Sequence, residues 1–369
     1  MALPDKQIFL RSPYYVNLSR ANLEKIVVEL WIYTGELTTD KPAEFQYRLE
    51  STAFPDESGI RYAEIDIAEM ARDYVEVSYD GVNESNAVWI EYDLYYADEG
   101  DVSLTLDESV QLTGLEGYGY FEDGYNPQPS THALLSNNTI LIPDQGAVDI
   151  PILQDKLTDW SLAKNSVQTY ASGALTPTEN TANVVFYADT GLSSQANPDR
   201  AIFSFTDVSD ITIYLKYYEE CRNTDIQCSF INRFGAVQDV WFRGRSTRRL
   251  STTEERYKRN ILDNGTYNTQ RHQDAILNKN GKTTIRVNTG YVPEEMNAVF
   301  QELMLSERVW ITVPDDYFDL NANKGAQTDT VQPVNIVDTS FTFLEKRYQK
   351  LINYSFTMEY GADRINSVR

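Results

Sequence analysis

EKIVVELWIYT, residues 24–34, decides the fold class. β-Branched and aromatic side chains fill a pleated surface well and lose rotamer freedom in a helix, so the run favours a strand. The same texture recurs on both sides. EFQYRLE at 44–50 alternates, with Phe45, Tyr47 and Leu49 on one face, which is the period of a half-buried strand. RYAEIDI at 61–67 and AVWIEYDLYY at 87–96 read as further strands, and AEMARDYV at 68–75 as a single helical turn.

Several short strands with one helical turn near a crossing predict an antiparallel sandwich of immunoglobulin or fibronectin type over residues 1–98. The polar segment ADEGD at 97–101 is the expected boundary. A second sandwich is expected over 99–215. Its strands are SLTLDESVQLTGL (103–115, a strand pair or one bent strand), NTILIP (138–143), AVDIPIL (147–153), NVVFYAD (183–189), AIFSFTD (201–207) and ITIYLKYY (211–218). GLEGYGYFEDGYNPQPS at 114–130 is rich in Gly, Tyr and Pro and reads as a long exposed loop. ASGALTPTENTA at 171–182 reads as a polar loop.

The last third, 216–369, reads as an α+β domain. IQCSFIN (226–232) and AVQDVWF (236–242) flank RFG at 233–235, whose glycine allows the positive φ of a tight reversal. In the basic run RGRSTRRLSTTEERYKRNI at 243–261, Ser251 with Glu254 fits a capping box and predicts a helix over 252–261; the alternative is a strongly basic strand edge. Asn264-Gly265 and Asn280-Gly281 mark turns, and TTIRVNTG (283–290) and RVWITVP (308–314) read as strands. Met296, Val299, Phe300, Leu303 and Met304 form one apolar helical stripe over 294–305, with Pro293 near the first turn. A polar loop at 315–330 and a closing hairpin at 340–361 complete the chain. The fold class expected is mainly β: tandem immunoglobulin/fibronectin-like β-sandwiches followed by a C-terminal α+β domain.

Composition narrows the function classes. The 369 residues carry a net charge of −23 and 25 tyrosines. Tyrosine buries a large ring yet satisfies a polar tip, which suits strands and half-wet interfaces. The charge is uneven. Residues 1–100 hold 20 acids and 8 bases, residues 101–230 hold 18 and 5, and residues 231–369 hold 17 and 19. Residues 233–286 hold 12 bases against 5 acids. An acidic chain is a poor ligand for phosphate backbones, which argues against nucleic acid. The asymmetry instead suggests self-complementarity, the basic part of one copy meeting an acidic surface of a neighbour.

Motifs of catalysis are missing from the sequence. His132 and His272 lie in neither a nucleophile elbow nor a metal pair, and no P-loop, GxSxG or dinucleotide fingerprint occurs. Among 55 acids any chosen carboxylate pair is uninformative. The acidic stretches YADEGD and DGYN lack the alternating ligands of a calcium loop. Cys221 and Cys228 read as reduced strand residues, and with two distant histidines they give no zinc spacing. No catalytic residue, metal ligand or cofactor is therefore expected. The N-terminus lacks the pattern of a signal peptide and no stretch is apolar enough to span a bilayer, so the chain is expected to be soluble and made in the host cytoplasm, with no membrane partner.

The hairpin FINRFGAVQDVWF (230–242) with its Ser/Thr and basic continuation is similar to segments of phage tail and baseplate proteins. VNTGYVPEEMNAVFQELMLSERVWI (287–311), PVNIVDTSFTF (333–343) and KLINYSFTMEYGADRINSVR (350–369) extend the likeness over about 226–369. The resemblance implies a virion protein of a tail, baseplate or neck, in which immunoglobulin-like modules precede a docking domain, with copies of itself and other virion structural proteins as partners. The interface residues expected are Phe234, Trp241, Phe242, Arg243, Arg245, Arg248 and Arg249. The rival is a binding module in which Tyr118, Tyr120 and Tyr125 contact a host-surface glycan. A polysaccharide-degrading enzyme is the third class.

Overall fold

The computed structural model describes every residue except 1–3, 5, 56–58, 78, 80, 128–130, 145, 165–166, 172–179, 193–196, 207, 220–222, 268, 314–329, 345–350 and 366–369. The chain is mainly β, as the alternating runs predict. It divides into two compact units. The first comprises Met1–Glu219, Ser229–Val240 and Ala298–Ser306; the second comprises Glu220–Cys228, Trp241–Asn297 and Glu307–Arg369.

The first unit opens with a β-sandwich. One sheet has the order Gln7–Phe9, Thr105–Leu115, Ala87–Asp98, Leu23–Tyr33, Tyr47–Thr52. The other has Tyr15–Arg20, Arg61–Asp66 and Phe54–Pro55. Ile26, Val28, Leu30 and Ile90 of the first sheet pack in one core with Val16 and Ala63 of the second. The expected helical turn is the helix Ala68–Arg72, whose Ala68 and Ala71 join that core.

The expected boundary at 98/99 is wrong. Thr105–Leu115 pairs antiparallel with Ala87–Asp98, from Ala87 opposite Leu115 to Tyr96 opposite Thr105. ADEGD is thus the reversal of a hairpin, with Gly100 at φ +91°. A polar, glycine-containing segment makes a turn as readily as a linker, and the pairing of its flanks decides.

A second set of strands follows within this unit. A sheet ordered Val167–Ala171, Leu157–Lys164, Arg200–Phe205, Ile211–Tyr218, Thr139–Pro143 accompanies the pair Asp149–Leu153 and Val185–Asp189. Trp160 of the sheet stacks on Phe203 and meets Phe186 of the pair at 5.9 Å between ring centroids. The expected third domain does not begin cleanly at 216. Ile211–Tyr218 runs across that position, and two pieces of 216–369, the hairpin tip and most of the 297–305 helix, belong to the first unit. Both carry apolar faces buried there: Ala236 and Val237 on the tip, Val299, Phe300 and Leu303 on the helix.

In the second unit the strands Val309–Val313, Thr330–Ile336, Ser355–Tyr360, Asp274–Asn288 and Thr247–Lys258 lie side by side in that order. Phe242, Ile285, Val287, Phe356 and Met358 are fully buried. Thr247–Lys258 is a strand where a helix over 252–261 was expected; the basic strand edge is the reading that stands. Thr252 and Thr253 are β-branched, and twelve residues of partner strand outweigh one capping pattern. Asn264-Gly265 does turn, with both residues at positive φ between Leu262–Asp263 and Thr266–Tyr267. Asn280-Gly281 does not; Gly281 sits inside a strand opposite Thr252. The closing hairpin is also corrected. Ser355–Tyr360 pairs with Asp274–Asn288 on one side and Thr330–Ile336 on the other, and Leu351–Ile352 pairs with Val292–Pro293. The reversal expected near 345–350, nearly all of the loop expected at 315–330, and most of that at 171–182 lie outside the described residues.

Candidate assembly interface

The 230–242 hairpin is organised by Asn232. Its backbone N–H donates to Ala236 O at 2.9 Å and closes the turn. Its side-chain Oδ1 accepts from the N–H groups of Phe234 and Ala236. Gly235 stands at φ +81°, and a Cβ there would come within 2.7 Å of the Glu116 backbone nitrogen. Only glycine fits such an approach. Phe234 is half-buried, edge-on to Phe9 at 6.2 Å, with the Arg233 guanidinium over its ring. Strand alternation separates the other two expected anchors. Phe242 is buried against Phe356, whereas Trp241 is half-buried and its indole N–H has no hydrogen-bond partner among the described residues.

Of the expected arginines, Arg243 and Arg245 precede the strand Thr247–Lys258 and Arg248 and Arg249 lie on it. Arg245 and Arg249 are exposed; Arg243 and Arg248 are half-buried. This strand is last in its sheet, so among the described residues one edge of its backbone has no partner strand. Its other edge pairs with Asp274–Asn288, from Thr247 opposite Arg286 to Lys258 opposite Asp274. Only Thr284–Asn288 is paired again on the far side. Arg364 N–H reaches Gly281 O, and beyond that point, among the described residues, the two strands pair only with each other as a ribbon capped by the 262–267 turn.

Both faces of the ribbon are open. Tyr257, Leu262, Tyr267, Ile276 and Leu277 are all exposed on it, Leu277 by 70%, as is Leu250 at its base. Its charge is mostly basic. Glu254 is held by Arg256 and by Lys279 at 3.3 Å, which keeps its carboxyl below the usual range, the bond from Arg256 being the larger cause. A two-stranded ribbon with apolar side chains on both faces is marginal alone in water, so this shape is suited to a partner.

The tyrosines expected to meet glycan are arranged otherwise. Tyr118 is buried, edge-on to the half-buried Tyr120 at 5.8 Å. The Arg11 guanidinium covers the Tyr118 ring and that of Arg233 covers Tyr120. Arg233 also pairs with Asp123 at 2.9 Å. Of the three, Tyr125 alone is exposed, by 53%, with its ring stacked on Tyr14 and Tyr15. The stretch expected as an exposed loop is thus buried through Tyr118, because the hairpin tip packs there: Tyr118 N–H donates to Arg233 O at 2.7 Å.

Beside these tyrosines lies Glu302, which sequence reasoning missed. It is 1% exposed and accepts from the Ser136 hydroxyl. Burial pushes its carboxyl up to about 7, and raises the Tyr118 and Tyr120 hydroxyls. A glutamate among the apolar positions of the helix, between Phe300 and Leu303, was the available signal.

Cys228 is buried, and Cys221 lies outside the described residues. His132 is half-buried against the Phe205 ring at 4.8 Å, and burial lowers its pKa. Among the described residues no three His, Cys, Asp or Glu side chains converge as a metal site would require, and no helix is long and apolar enough to cross a membrane. No protein-family model matches the chain, and no curated protein matches it either.

Proposed function

We propose that the chain is a non-enzymatic structural protein of a phage particle, seated in its tail, baseplate or neck, which acts by packing symmetrically with copies of itself and with other virion proteins. The observation that carries the assembly role is the ribbon: among the described residues, two strands paired to each other alone, with five exposed apolar side chains and the exposed Leu250 at its base. An unpaired strand edge is a template for another chain, and natural proteins ordinarily shorten or cover it. Here the edge is twelve residues long. The placement in a phage particle rests on the resemblance over 226–369. The test is to purify particles from the producing lysate and quantify this chain by mass spectrometry against the other components. A fixed stoichiometry of several copies per particle is expected; its absence from washed particles would reject the reading.

A second reading keeps one specific observation. Tyr125, with the almost fully exposed Phe121 four residues earlier, offers aromatic surface to a host glycan. A saturable glycan affinity that disappears in Tyr125→Ala, with assembly intact, would favour it.

A further inference from the structure

The ribbon's charge indicates what covers it. Lys258 and Lys279 lie on the ribbon, and Arg248, Arg249 and Lys282 at its base, the arginines and Lys258 all on the strand Thr247–Lys258 whose outer edge has no partner strand among the described residues. The first unit holds an edge of opposite sign. Among the described residues, Thr105–Leu115 is paired on the outer side only at Thr113–Leu115, to Gln7–Phe9. Residues 105–109 and 111 are exposed, they include Asp107 and Glu108, and Leu106 is 51% open. The reversal before this strand adds the exposed Glu99 and Asp101.

Each edge is guarded against its own kind. Two acidic edges repel each other, as do two basic ones, because like charges directly across a strand pair are unfavourable. Acid against base removes that obstacle, and each edge brings an exposed leucine, Leu106 and Leu250. A register shift at Leu94/Tyr95 leaves Asp107 as a bulge and bends this edge, so contact by side chains matters beside any backbone pairing.

We propose that the basic edge of the ribbon in one copy docks on the acidic 99–111 edge of a second copy. The inference rests on the reading of the chain as an assembly subunit. Because the two surfaces differ, the contact is head-to-tail, and repeating it generates a ring or a filament. The chain's own acidic majority supplies the complement, so a second copy of the chain suffices as the partner.

The test uses the purified full-length chain as an equal mixture of 15N-labelled and unlabelled copies. A zero-length carbodiimide joins lysine to carboxylate at contact distance. The expected product is a mixed-isotope peptide pair linking Lys258, Lys279 or Lys282 to Asp107, Glu108 or the 99–101 acids. R248E/R249E should lower its yield at least tenfold, and adding D107K/E108K should restore association, read by sedimentation because those carboxylates are then gone. Links only within one isotope, links to other acids, or unchanged association in R248E/R249E would each overturn the proposal. That failure leaves the count of copies in particles untouched, whereas absence from particles sinks the assembly reading whatever the crosslinks show.

Discussion

The side-chain amide of Asn232 donates to the carbonyl oxygen of Leu134 at 2.7 Å and to Gln238 Oε1 at 3.0 Å, while its own Oδ1 accepts two backbone N–H groups of the turn. One fully buried side chain thus closes the hairpin tip and fastens it to a segment almost a hundred residues earlier. Asn232→Ala leaves buried donors and acceptors unpaired, each costing about 1–3 kcal/mol. Thermal denaturation of the variant should show a drop of several degrees; an unchanged midpoint would mean water replaces the amide.

Gly235→Ala attacks the same tip from the backbone. The residue stands at φ +81° and its new Cβ would meet the backbone of Glu116 and Gly117. Left-handed strain alone costs roughly 1–3 kcal/mol for a non-glycine residue, and the clash adds to it. Urea denaturation should place G235A well below the wild type, with an unchanged m-value; a shift within 0.5 kcal/mol, roughly the size of a surface substitution, would contradict the packing.

The helix stripe gives a third expectation. Phe300 is 1% exposed, so Phe300→Ala should cost about 3–5 kcal/mol in transfer energy and cavity formation. Equilibrium unfolding measures it directly.

Much of this was legible in the chain. Runs such as EKIVVELWIYT and ITIYLKYY became strands because alternation and β-branching act locally. Asp159 and Ser161 dilute the texture of LTDWSLAK, yet Leu157–Lys164 is a strand paired on both sides, to Val167–Ala171 and Arg200–Phe205. Partner choice was the harder part. TLDESVQLTGL carries no mark saying that it pairs backwards with Ala87–Asp98, and Ser251 with Glu254 carried a helix signal that a neighbouring strand overrode. The buried cluster escaped for the same reason: Tyr118 sits in a Gly-rich stretch and Glu302 on a helix, and only the fold brings Ser136 to that carboxylate.

Glu302 predicts a pH dependence. Its carboxyl is raised from 4.5 to about 7 by burial. Below about pH 4.5 it is protonated in both folded and unfolded chains, and its contribution to stability is fully present. As pH rises from there toward 7, the unfolded chain loses the proton while the folded chain keeps it. Stability therefore falls across that window and levels off above it, by on the order of 3 kcal/mol at 1.36 kcal/mol per unit. Glu302→Gln keeps the shape without the ionisation. Its melting temperature should change less between pH 5 and pH 8 than that of the wild type; equal slopes would show that the carboxylate is relieved some other way.

The ribbon should behave in the opposite manner to the core. Leu277 is 70% exposed and Tyr267 is 72% exposed, and neither packs under a second layer. Truncating exposed side chains changes stability by roughly 0.5 kcal/mol or less, so Tyr267→Ser/Leu277→Ser should melt with the wild type in dilute solution. The same exposure is what a partner would cover, and anchors of this kind are where interface energy concentrates. Association measured by sedimentation at high concentration should therefore weaken by an order of magnitude or more in the double variant, and the loss should persist at high salt, where screening has already removed most of the charge contribution. A fall in the melting temperature of the dilute chain would show instead that these side chains serve its own fold. Unchanged association at either salt concentration would leave the ribbon's apolar faces without a part in assembly.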